Sequence, residues 1–144
     1  HMRDNKRTFV WASLALGFAL LPFTIGAHHG TNQSYDRSAP VTVMGVVTEF
    51  RYKNPHPQLF IDVTDNEGKT TTWAIEIAPT PYTLAMRGWS RSRSSEALKP
   101  GTEVSITLAP SRAGTPVGLL REIVDADGVQ IFGDLRGPLR AGPE

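Results

Sequence analysis

No cysteine occurs in the 144 residues. That absence excludes disulfides, a zinc ribbon and thiolate chemistry, and it leaves histidine as the main nitrogen donor for a metal. Histidine is scarce too, with four in all. Charge of one sign is also missing, since 15 Lys+Arg face 14 Asp+Glu. The balance divides unevenly along the chain. Residues 1–27 hold Arg3, Lys6, Arg7 and Asp4, so residues 28–144 carry 12 basic and 13 acidic side chains. A near-neutral body argues against non-specific nucleic-acid binding, which needs a basic surface to neutralise phosphates. Catalytic signatures are absent as well. There is no Gly-x-Ser-x-Gly elbow, phosphate loop, dinucleotide fingerprint or His-Glu-x-x-His helix, and a serine nucleophile would have to use His56. The length fits one small domain with a single core.

What is present begins with a leader. His1-Met2 reads as a cloning scar. Residues 3–8 are net positive, and Phe9 to Ala27 follow without a charge, broken by Pro22. A basic start, an apolar run and a small residue before a polar stretch form a secretory signal pattern. The competing reading is an uncleaved anchor, because 19 uncharged residues are about the length that spans a bilayer. Cleavage after Ala27 places the protein in the periplasm or outside the cell. It also makes His28 the first residue, followed by His29. A free α-amine and the imidazole of the same residue chelate a metal together. A third nitrogen completes a T-shaped site suited to copper. The other histidine of the body is His56, within Asn54-Pro55-His56-Pro57.

The body reads as mainly β. Thr31 to Pro40 is polar and turn-rich, an irregular arm. Val41 to Lys53 alternates with apolar residues on both faces, as in a long strand that closes a barrel, and Gly45 offers a place to coil or bulge. Two prolines in residues 54–57 interrupt pairing. Gln58–Thr64 and Thr70–Ala78 form a hairpin around Asp65-Asn66-Glu67-Gly68. Thr80 and Pro81 start a short helix that Gly88 stops. Arg91 to Ser95 reads as a basic, hydroxyl-rich connector, with at most a helical turn over Ser95–Leu98. Thr102–Ala109 and Val117–Ala126 are strands four and five, and Asp127-Gly128 turns into a short Val129–Phe132 extension. The expected fold is therefore a small five-stranded OB-like Greek-key barrel with one short helix between strands three and four. An open sandwich of the same strands is the alternative. The expected division is scar and signal peptide over 1–27, arm over 28–40, barrel over 41–132 and a flexible tail over 133–144.

Ala27-His28-His29-Gly30, Tyr35-Asp36, Gly45-Val46-Val47, Asn54-Pro55-His56, Trp73-Ala74-Ile75-Glu76, Gly88-Trp89, Lys99-Pro100-Gly101 and Asp127-Gly128 follow one another in this order. Together they resemble an uncharacterised family of small exported bacterial proteins with a His-His-Ser start and an Asn-Pro-His motif. The resemblance covers roughly residues 27–132 and implies export and an OB-like barrel. Gly30 stands where that family has Ser, and Pro57 where it more often has an aliphatic residue, which changes how His56 is presented.

The candidate metal ligands are His28, His29, His56 and Glu76, with copper as the preferred ion. Glu76 lies on the strand face opposite Trp73, either turned inward with a partner or solvated. Asp36 is a ligand or a turn cap, the cap being the simpler role. Met44 and Met86 are soft copper donors by type but read as core. Trp73, Trp89, Phe50, Tyr52 and Tyr82 form a stacking platform or, more simply, part of the core. The leading expectation is an exported barrel that chelates copper through deprotonated nitrogens, so that binding weakens on acidification. The alternative is a metal-free adaptor for a protein, peptide or glycan, such as a periplasmic protein partner. A histidine-brace redox enzyme would need the same ligands plus an open coordination position. No nucleic-acid partner is expected, and a membrane only through an uncleaved leader.

Overall fold

The strands are built on alternating Ile, Leu and Val, and the burial follows the alternation. A computed structural model describes residues 34–132. The leader, most of the arm with His28 and His29, and the tail after Phe132 lie outside the described residues. Strands β1 (Val41–Arg51), β2 (Gln58–Thr64) and β3 (Thr70–Glu76) form an antiparallel meander. Helices α1 (Pro81–Met86) and α2 (Arg91–Ala97) follow, then β4 (Glu103–Pro110), β5 (Val117–Asp125) and the short β6 (Gln130–Ile131). The sheet order is β3-β2-β1-β4-β5-β6, and β3 also pairs in parallel with β5 through Ala74–Val117 to Glu76–Leu119. That pairing closes five strands into an OB-like barrel, with β6 added on the outer side of β5.

The long first strand serves two partners. Its first half pairs with β4 and its second half with β2, with Val46 opposite both Glu103 and Asp62. Gly45 sits at this handover. A Cβ there would lie 2.5 Å from the Asp62 carbonyl oxygen, so only glycine lets β1 pass so close to β2. The register irregularity falls between Val47 and Glu49, leaving Thr48 as the extra residue, beyond the Gly45 position favoured from the sequence. A second one sets Thr107 and Leu108 against Glu122 and Leu120, leaving Arg121 as the extra residue.

Leu59, Ile61, Ile75, Ile77, Ile106, Leu108 and Ile123 are fully buried inside the barrel. Leu84 of α1, Leu98 after α2, Trp89 and Phe132 cover the same core. Thr80 caps α1 by accepting from the Thr83 N–H, with Pro81 next. The helix ends in a Schellman turn, in which Trp89 N donates to Leu84 O and Gly88 N to Ala85 O.

Four expectations are corrected here. Among the described residues two short helices, not one, lie between β3 and β4, because Arg91–Ala97 is helical with Ser90 as its N-cap. Ser94 and Leu98, four residues apart, are both fully buried and dock that helix. A sixth strand is present where a mere extension was expected. The end of the arm is not wholly irregular, since Tyr35 bridges Ser111, Asp36 N donates to Pro110 O and Arg112 N donates to Ser34 O. Met44 and Met86 are not core: they are 74% and 69% exposed, on the outer face of β1 and the open face of α1.

Candidate functional site

Ile75 and Ile77 point into the barrel, so Glu76 between them points out. It is not left to solvent, because the arm folds over it. The Tyr35 hydroxyl donates to Glu76 Oε2 at 2.9 Å. Tyr35 itself is buried against Ala109 and Leu119, with Ala78 and Val117 packed alongside. This small apolar cluster lies outside the main core and holds the arm in place. Burial, then the hydrogen bond and charge of Glu76, raise the Tyr35 pKa well above the ordinary tyrosine value, so the phenol remains a donor.

The other Glu76 oxygen faces His56. His56 Nε2 lies 3.9 Å from Glu76 Oε1, too far for a direct hydrogen bond. The loop bearing His56 includes the cis Asn54–Pro55 bond and is tied to the end of β3, where Ile77 N donates to Pro57 O at 3.0 Å. Pro57 is fully buried, which fixes the residue following His56. The side chains of His56 and Glu76 are 36% and 24% exposed, so the pair is open on one side. His56 Nδ1 is buried and has no hydrogen-bond partner among the described residues.

Imidazole nitrogen and carboxylate oxygen bind transition metals at about 2.0–2.2 Å. One ion between His56 Nε2 and Glu76 Oε1 therefore fits their separation with a wide ligand–metal–ligand angle. Two ligands do not make a site. Among the described residues no group of three or more His, Cys, Asp or Glu is arranged to hold an ion. His28 and His29 lie outside the described residues.

The remaining candidates divide cleanly. Asp36 is a turn cap: its carboxylate accepts from Ser38 N and Ser38 Oγ, at 3.0 and 2.6 Å. Those bonds, and more weakly Arg112 at 3.6 Å, hold its pKa below the usual carboxylate value. Trp89 and Tyr52 are buried in the core, Phe50 and Trp73 pack against it, and Tyr82 alone of the five aromatics stands out at 73% exposed. Tyr35 was not among the site residues expected from the sequence. Its one signal was its place in the Tyr35-Asp36 pair of the family-like motif set, since an isolated tyrosine in a polar arm carries no periodicity.

Fold and site together define a small OB-like barrel with a His–Glu pair secured by the N-terminal arm. Over residues 19–121 the chain matches the family of unknown function DUF6152, and it belongs to that family. No curated protein matches it. Among solved structures it is similar to the mitochondrial single-stranded DNA-binding protein Rim1 of S. cerevisiae. The TM-score is 0.40 at 12% identity, over 61% of this chain and 94% of that one.

Proposed function

We propose that the protein is exported, is cleaved after Ala27, and binds a transition metal, copper by preference, at the His56–Glu76 pair. His28 supplies the α-amine and imidazole, and His29 a further imidazole. The observation that carries this reading is the staple between Tyr35 and Glu76. His29 is six residues before Tyr35, a span of at most about 22 Å, which is long enough for the chain between them to reach His56 from the Tyr35 anchor. Tyr35 holds one Glu76 oxygen and leaves the other for the ion.

Titration of copper into three proteins tests the proposal: the chain beginning at His28, the unprocessed chain, and His56→Ala in the shorter chain. The first should bind one ion tightly and the other two at least tenfold more weakly, as expected when one ligand is lost. Equal, weak binding by all three contradicts it.

A metal-free adaptor remains the second reading, and one cleft favours it. A pocket of about 350 Å³ lies between the β2–β3 hairpin and the β4–β5 loop, with Trp73, Val63, Thr71, Thr115 and Pro116 in its walls. On this reading a glycan or peptide quenches Trp73 fluorescence, and His56→Ala leaves the quenching unchanged.

A further inference from the structure

Charge on this near-neutral body is not evenly spread. From Ile77 to Ser95 there is no Asp or Glu, and three arginines, Arg87, Arg91 and Arg93, fall in the turn and helix that follow α1. Glu96, the next acid, is already paired with Lys99 at 2.8 Å. The α1–α2 segment is therefore a net cationic cap. It is also apolar on its open side: Tyr82 and Met86 are four residues apart on one face of α1, 73% and 69% exposed.

The two helices are bound to each other through one side chain. The Tyr52 hydroxyl lies 2.8 Å from Pro81 O, at the start of α1, and 2.9 Å from Trp89 O, just before α2, and shares its proton between them. The Arg91 guanidinium sits over the Tyr52 ring at 5.1 Å, and that of Arg93 over the Trp89 ring at 4.4 Å. Arg93 Nη1 also donates to Gly88 O. Tyr82, next to Pro81, and Arg91 thus belong to the same neighbourhood around Tyr52, and the aromatic faces hold the cations in place.

We propose that the α1–α2 cap docks on an anionic phospholipid surface, with Tyr82 and Met86 entering the headgroup boundary and Arg87, Arg91 and Arg93 meeting lipid phosphates. An anionic bilayer is the partner that answers both features at once. It offers phosphodiester oxygens to guanidinium groups and an apolar layer just beneath them. Tyrosine suits that boundary because its ring is apolar and its hydroxyl stays wet. A nucleic acid would call for a broader basic surface than three arginines. The carboxylates Asp62, Glu103 and Asp125 gather on the strands, around a cleft of about 560 Å³ that also includes Met44, and not on the helices. The proposal is independent of metal binding and of the leader.

The absence of cysteine makes the test direct. In the full chain, Tyr82→Cys, Met86→Cys and Met44→Cys are each labelled with a polarity-sensitive fluorophore. Each is mixed with vesicles of phosphatidylcholine alone or with about one-third phosphatidylglycerol. Whatever the leader does is common to all three, and the label reports which face meets the lipid. Labels at 82 and 86 should shift to the blue on anionic vesicles only, and the label at 44 on neither. Arg91→Gln, at an exposed position, should raise the vesicle concentration for half the shift about fivefold, and about 0.5 M salt should abolish the shift. A shift at 44 equal to that at 86, an equal shift on neutral vesicles, or no shift at all overturns the proposal. So does a shift produced by an acidic peptide or an oligonucleotide but not by vesicles.

Discussion

Tyr35 links the arm to the site through a single hydroxyl, and its ionisation gives that link a pH signature. Its pKa in the folded chain lies above the unfolded value, by burial first and then by Glu76. Stability from this group is therefore complete below the unfolded tyrosine pKa of about 10 and is lost as pH rises beyond it. Tyr35→Phe should cost about 1.5–3 kcal/mol at neutral pH, the value of a hydrogen bond to a charged acceptor. In urea titrations the gap between parent and variant should narrow above about pH 10; a gap of constant size up to about pH 11 argues against the link. Glu76→Gln keeps an oxygen for Tyr35 but removes the charge. It should leave the fold intact and weaken copper binding about tenfold or more, measured by competition with a chelator of known affinity. Residue chemistry was partly legible in the sequence. His56 stood out as a scarce nitrogen donor and Glu76 as a strand carboxylate on the face opposite Trp73, whereas Tyr35 did not, because its role depends on a long-range contact across 41 positions.

At the scale of elements, the strands were legible because each carries its own alternation and its own turn. Leu59 and Ile61, Ile75 and Ile77, and Val104, Ile106 and Leu108 announce their inward faces directly. Helix α2 was not legible. Arg-Ser-Arg-Ser-Ser has no apolar period and its three serines are weak helix formers, so tertiary docking of Ser94 and Leu98 decides its state. Its cap is then a fair test: Ser90→Ala should lower stability by about 1 kcal/mol with the urea slope unchanged. The crossing at Gly45 is less forgiving. A methyl there meets the Asp62 carbonyl at 2.5 Å, and backbone must move to admit it. Gly45→Ala should therefore cost about 1–3 kcal/mol, as overpacking does. A midpoint equal to the parent's would mean that β1 does not pass β2 so closely.

Over the whole molecule, closure of β3 on β5 and docking of the arm act on the same place. Glu76 is the last residue of β3, pairs in parallel with Leu119, and receives Tyr35, which rests on Leu119 and Ala109. The closing seam of the barrel is thus also the floor of the candidate site. The barrel itself was legible in the order of strands and helix. Its seam was not, since a parallel pairing between β3 and β5 leaves no local pattern. Charge shows the same gap between total and arrangement: the near-neutral sum concealed a cationic α1–α2 cap. The central claim, that His56 and the new N-terminus hold one copper ion together, is tested most directly by pulsed electron paramagnetic resonance of the copper(II)-loaded chain beginning at His28. Nitrogen couplings from more than one imidazole are expected, with one imidazole lost in His56→Ala. A spectrum unchanged by that substitution would contradict it.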